Sequence, residues 1–177
     1  MWDAAEAAGL KHMAAFNYRF VPAIIQARKL VKDGVIGEVF HFRARYAQEW
    51  IIDPNFPLIW RLDKDVSGSG VLGDLGSHTL DLARFIVGEI TAVNGRLKTF
   101  IKERPTAEDP SVMGPVTVDD AYMALLEFDN GAIGSVEATR FGNGRKNGNT
   151  FEINGSLGSI SYNMEQFNEL EVYIADT

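Results

Sequence analysis

Asp74 and His78 stand four residues apart in the segment GSGVLGDLGSHTLD, which runs from Gly68 to Asp81, and Asp81 itself follows three residues later. At helical spacing all three project from one face. A carboxylate beside an imidazole at the mouth of a glycine-rich loop can move a proton, the acid holding the ring while the ring takes the proton. A plainer reading uses the same residues: Asp74 caps a helix and gains from its dipole, and His78 is a satisfied core histidine. Spacing alone leaves both open. A metal held by Asp74, His78 and Asp81 is disfavoured, because ligands strung along two turns of one stripe rarely converge on one ion. A hydrolytic pair fails on geometry, since Ser77 and His78 point about 100° apart.

The first six residues of the same segment satisfy G-x-G-x-x-G, the pattern of a dinucleotide-binding turn. That turn needs a buried strand to deliver the chain and a helix aimed at the pyrophosphate. Here RLDKDVS delivers it, and those residues cannot form a buried strand. Glu89, the acid near the expected spacing, lies just past the following helix with no second strand leading to it. The fingerprint is therefore rejected. The glycines instead let a loop pass close to something, which includes a cofactor held by another domain.

Several elements must position these residues. Leu75, Leu80, Leu82, Phe85 and Ile86 recur at helical spacing and predict a helix over 74–87, ended by Gly88. Residues 51–73, with Pro54, Pro57, Gly68 and Gly70, read as a long loop of the kind that commonly carries function. EVFHFRARYAQEW alternates as a strand with one wet face. A helix opens at Pro22, shows Ile24, Ile25, Arg28 and Val31, and closes at Gly34. Before it, MWDAAEAAG reads as a helix and LKHMAAF as a short buried strand. ITAVNGRLKTFI, VTVDDAYMALLEF, GAIGSVEATRF, TFEINGSLGSISYNM and LEVYIAD read as a succession of hairpin strands, with Asp129-Asn130-Gly131 as one turn. KERPTAEDPSVMGP, residues 102–115, reads as a polar loop. The fold class is α+β: a large, predominantly antiparallel sheet with helices on one face.

The bulk numbers bound the function. A chain of 177 residues with 46% hydrophobic content can bury a real core. Its net charge of −7 comes from scattered acids, which argues against nucleic acid as a partner. There is no cysteine, which removes disulfides, thiolate metal sites and a thiol nucleophile, and fits a cytoplasmic protein. No apolar run reaches the roughly 18 residues of a membrane span, and the N-terminal residues show no export signal.

NYRFVP (17–22), GVIGEV (34–39), WRLDKDVSGSGVLGDLGSHTLDLARFIVG (60–88), DNGAIGSVEATR (129–140) and FEINGSLGSI (151–160) resemble the second domain of the Gfo/Idh/MocA oxidoreductases. These are the relatives of glucose–fructose oxidoreductase and inositol dehydrogenase. The resemblance runs in order over nearly the whole chain, with D-x-G-x-H-x-x-D as its most specific part. It implies an oxidoreductase using NAD or NADP, bound mainly by an N-terminal Rossmann domain, with a sugar, inositol or related polyol as substrate. His78 would be the general base, and Asp74 would bind the substrate hydroxyl and bias the imidazole. Arg19 and Trp60 would contact substrate, Asn17 and Arg61 the cofactor, with no metal. A homo-oligomer through the β-sheet is implied as well. Residues 1–17 would be the residual end of the Rossmann domain and 18–177 the substrate-binding and oligomerisation domain, truncated at its C-terminus. The family's Glu-Lys-Pro motif is absent, Glu103-Arg104-Pro105 lying in the wrong part of the chain. A chain of this extent alone is therefore expected to bind dinucleotide poorly and turn nothing over. The alternative is a non-catalytic binding or dimerisation module of the same fold.

Overall fold

In the computed structural model, which describes residues 1–175, the strands are β1 (Val39–Ala47), β2 (Ile90–Lys98), β3 (Glu103–Pro105), β4 (Met113–Pro115), β5 (Ala121–Phe128), β6 (Ile133–Thr139), β7 (Gly148–Gly155), β8 (Gly158–Asn163) and β9 (Glu171–Ile174). Seven of them form one sheet in the order β2-β5-β6-β1-β7-β8-β9. Every pairing in it is antiparallel except β1 with β6, where His41 to Ala47 run parallel to Ile133 to Thr139. Hairpin turns cannot create that parallel pair, so the sequence signal for a run of hairpins misses it. Asp176, which ends the expected strand LEVYIAD, lies with Thr177 outside the described residues.

β1 shows how pattern becomes position. Phe42, Ala44 and Tyr46 face the core while Arg43 and Arg45 face outward, as a period of two requires. The register against β7 shifts between Val39 and His41, and this bulge re-phases the alternation so that Val39 and Phe42, three apart, are both buried. Phe42 and Phe151 then stack at 6.1 Å, and Phe151 and Tyr162 at 5.2 Å, filling the sheet's inner face.

The helices α1 (Trp2–Ala7), α2 (Pro22–Lys32), α3 (Lys64–Ser67) and α4 (Ser77–Ile86) do unequal work. α2 starts on Pro22, whose missing N–H costs nothing in a first turn. It buries Ala23, Ile24 and Ala27, whereas Ile25 is half exposed. α4 buries Thr79, Asp81, Leu82, Ala83 and Ile86 against β1 and β6. Leu82 and Ile86 each contribute about 1.5–3 kcal/mol by leaving water. α2 packs on α4 and on β8, so both lie on one face of the sheet. The opposite face is open, with Met123, Leu125 and Ile133 exposed.

Two expectations are corrected. Residues 10–16 form no strand: they are largely exposed and have no ladder partner among the described residues, and a strand needs a neighbour to satisfy its backbone. Residues 102–115 are not a plain loop, because β3 and β4 pair there as a small separate hairpin. The wholly buried Arg104 at its centre donates from Nη1 to the carbonyl of Asp53 at 2.7 Å and from Nη2 to that of Ile51 at 2.5 Å. A third bond, from Nη1 to the Phe56 carbonyl at 3.3 Å, completes the staple. Residues 51–59 are thereby fixed over a second apolar cluster of Ile51, Leu62, Val116 and Val118. The remainder of the expected loop holds a helical turn at Trp60–Leu62 and the short α3.

Candidate active site

The chain enters α4 through a wide π-turn at Leu72–Gly76, so the helix expected from residue 74 becomes α-helical only at Ser77. Asp119, just before β5, organises this entry. Its carboxylate accepts from the amides of Gly70 at 3.0 Å and Leu72 at 2.7 Å, and its carbonyl accepts from the amide of Val71 at 3.0 Å. A Cβ on Gly70 would sit 2.0 Å from the Asp119 carbonyl oxygen, and one on Gly76 would sit 2.6 Å from the Tyr122 ring. The glycines therefore serve close packing within this chain. The amides that a pyrophosphate would need are already taken by Asp119.

Asp74 and His78 line one cleft of about 390 Å³, together with Tyr46, Gln48, Trp50, Ile59, Arg61 and Leu75. The half-buried imidazole is walled by aromatic edges: Tyr18 at 4.9 Å, Phe16 at 5.7 Å and Tyr46 at 6.1 Å between ring centroids. Its Nδ1 is buried without a hydrogen-bond partner, which leaves Nε2 as the nitrogen available to a ligand. Burial lowers the His78 pKa from its ordinary value of 6.5, against the opposing pull of the carboxylates of Asp74 and Asp81. The ring is accordingly neutral at physiological pH and able to accept a proton.

No hydrogen bond joins Asp74 to His78 among the described residues, so the acid does not hold the ring. Asp74 Oδ2 instead accepts from Nη2 of Arg140 at 2.7 Å, and Oδ1 lies 3.6 Å from Nη1 of Arg61. Asp74 makes no side-chain cap either. Asp81 faces elsewhere and meets the forked guanidinium of Arg19, with Nε at 2.8 Å from Oδ2 and Nη2 bonded to Oδ1.

Of the residues that the family resemblance points to, the structure thus brings Asp74, His78 and Arg61 together. Arg19 lies outside the cleft, its fork occupied by Asp81 and its face over the Phe85 ring. Trp60 is 58% exposed, between the lining residues Ile59 and Arg61, with the Arg61 guanidinium 4.7 Å over its ring. Asn17 is exposed at the start of a short helical turn, Asn17–Phe20, whose next residue is the Tyr18 that walls His78.

Sequence reasoning missed a polar chain along the cleft. Trp50 Nε1 donates to Gln48 Oε1 at 2.9 Å, which fixes the amide's orientation. Gln48 Nε2 and Tyr46 Oη then both donate to Asn147 Oδ1, at 2.8 and 2.6 Å. With its proton so committed, Tyr46 must accept from Tyr18 Oη at 2.7 Å. Burial pushes the Tyr46 phenol well above its ordinary value, so it stays protonated. Arg140 was missed too, although it ends the quoted stretch DNGAIGSVEATR. Alternation through Tyr46 and Gln48 at the end of β1 was the only available signal.

The fold is thus a mostly antiparallel sheet with two helices on one face, and it carries a cleft lined by Asp74 and His78. Residues 24–161 match the model of the GFO/IDH/MocA C-terminal domain. The chain belongs to that family. It is 47% identical to levoglucosan dehydrogenase of Pseudarthrobacter phenanthrenivorans, covering 99% of this chain and 48% of the relative. A solved structure of levoglucosan dehydrogenase in complex with NADH and L-sorbose superposes with a TM-score of 0.94 at 49% identity, over 100% of this chain and 47% of that one. An oxidoreductase domain protein from Kribbella flavida is similar at 56% identity and a TM-score of 0.90, over 98% and 45%. The chain thus spans about half the length of the relatives it matches. Among the described residues no helix is long and apolar enough to cross a membrane.

Proposed function

We propose that this chain is the substrate-binding half of an NAD(P)-dependent sugar dehydrogenase, with the Asp74–His78 cleft as its reacting centre. The observation that carries the reading is that a neutral imidazole and a carboxylate line one small cleft without neutralising each other. The cleft has two characters. Trp50, Ile59 and Leu75 offer apolar surface for the C–H face of a sugar ring, while Gln48, Arg61, Asp74 and His78 offer hydrogen bonds for hydroxyls. Compact sugars such as levoglucosan, which the 47% identical relative is named for, suit that division.

The residues fit the reacting end of a dinucleotide and not its phosphates, because Asp119 occupies the glycine-loop amides. Arg61 and Asn17 would hold the nicotinamide end, and a Rossmann domain elsewhere in the whole protein would hold the rest, with residues 1–17 as its continuation. When bound, the nicotinamide supplies the hydride acceptor. His78 Nε2 accepts the proton of the reacting hydroxyl, and Asp74 Oδ1 fixes the direction of that hydroxyl's approach. The aromatic wall of Phe16, Tyr18 and Tyr46 keeps water from the imidazole. Arg19 contributes by anchoring Asp81 on α4, and Trp60 by its exposed ring beside Arg61.

The open sheet face supports a homo-oligomer. Met123, Leu125 and Ile133 are each more than half exposed there, beside Arg43, Arg45 and Arg96. Apolar surface of that kind on a sheet is the ordinary material of an interface. The function is tested by supplying the full-length protein with NAD or NADP and a panel of sugars, anhydrosugars and inositols, and recording reduced-cofactor absorbance. Sugar-dependent reduction that disappears in H78Q is expected. Undiminished turnover by H78Q, or none by the wild type, rejects the reading.

A further inference from the structure

The chain contains two arginines with essentially no exposed surface, Arg104 and Arg140, and they are used differently. Arg104 is a structural arginine: its two terminal nitrogens bond the backbone carbonyls of Ile51, Asp53 and Phe56. Among the described residues, Arg140 bonds no backbone through its side chain, and its one side-chain hydrogen bond runs from Nη2 to Oδ2 of Asp74, which is one-third exposed in the cleft. Its Nε and Nη1 are buried without partners. Leaving guanidinium donors unpaired in the interior is costly, so anchoring of the backbone, the role of Arg104, does not account for this cation, whose charge also acts on the buried carboxylate of Asp120. The guanidinium also lies 5.2 Å from the centroid of the Trp50 ring, which forms the cleft's apolar wall. It therefore touches both the cleft's carboxylate and its aromatic surface from behind.

The two oxygens of Asp74 are consequently not equivalent. Oδ2 is held by a charge-assisted bond of 2.7 Å, and Oδ1 has only the looser Arg61 at 3.6 Å. We infer that Arg140 is a positioning residue: it occupies Oδ2 of Asp74 from the protein side, so that Oδ1 alone is presented to the sugar hydroxyl. The inference rests on the dehydrogenase reading of the cleft. Arg140 touches neither substrate nor cofactor and acts through Asp74.

The test is a double-mutant cycle in the full-length protein, using the sugar that the wild type oxidises. R140Q should lower kcat/KM about 100-fold, the scale of a misplaced reacting group. In a D74N background the same change should cost less than about 3-fold, because the group it positions is already gone. R140K, which keeps the charge but loses the fork, should fall between. Equal losses from R140Q in both backgrounds would mark a merely structural residue and overturn the inference, as would an unimpaired R140Q. If R140Q does not fold, R140K is scored against R140K/D74N by the same comparison. Wild-type protein that oxidises no sugar would remove the dehydrogenase reading and this role with it, whereas wild-type turnover with additive losses removes the role alone.

Discussion

Asp74 accepts a hydrogen bond at 2.7 Å from Arg140, 66 residues further along the chain, and makes none to His78, four residues on. On the proposed dehydrogenase reading, carboxylate and imidazole are separate tools in the cleft, one holding and one accepting.

Separate tools should fail separately. H78Q is expected to lower kcat by about 10²- to 10⁴-fold, the usual contribution of a general base, with little change in sugar affinity. D74N should weaken sugar binding as well as turnover. Steady-state kinetics on the full-length protein, with calorimetric titration of sugar, separates the two patterns; identical profiles would contradict it.

The depressed pKa of His78 gives a signed pH dependence. The unfolded chain holds its histidine proton up to about pH 6.5, while the folded ring releases it at lower pH. The stability from burying the neutral ring is thus fully present above pH 6.5 and lost as pH falls through the lowered value. Turnover should decline over the same acid window as the base becomes protonated. H78F should flatten the acid slope of denaturation midpoints relative to the wild type, and parallel slopes would refute the assignment.

Gly70 and Gly68 should respond differently to alanine. At Gly70 a methyl would lie 2.0 Å from the Asp119 carbonyl oxygen, so G70A should cost about 1–3 kcal/mol and disturb the entry to α4. At Gly68 nothing lies within 4 Å, and only its φ of +79° opposes a side chain, so G68A should cost about 1 kcal/mol. Thermal denaturation ranks them, and the reverse order would be inconsistent with the Asp119 contact.

Arg104 should reveal itself in the loop it staples. R104M leaves one buried and two part-buried carbonyls without their cationic donor and should destabilise the protein by about 2–5 kcal/mol. Proteolysis between residues 51 and 59 should accelerate before cleavage elsewhere. Uniform acceleration along the chain would show that the staple is not local.

Much of this architecture was legible because the signals are local. The alternation of Phe42, Ala44 and Tyr46 marks β1, Pro22 marks the start of α2, and Asp129-Asn130-Gly131 marks the β5–β6 turn. The Asp74–His78 spacing, too, pointed to a shared cleft, and the residues delivering the chain to Gly68 were enough to reject a dinucleotide turn. What stayed hidden joins residues far apart in sequence. The parallel β1–β6 pair, the Arg104 staple and the polar chain from Tyr18 to Trp50 each depend on which segments pack together.

The amino-acid sequence by itself determined most of the helices and strands, since period and turn chemistry act over a few neighbouring residues, but not the β3–β4 hairpin or the lack of a strand at residues 10–16. Only the tertiary structure decided that Asp119 fills the glycine loop, that Asp81 belongs to Arg19, and that Arg140 rather than His78 holds Asp74. The physical reason is that a carboxylate takes whichever cation or amide the folded chain brings within 3 Å, and no local pattern encodes that choice.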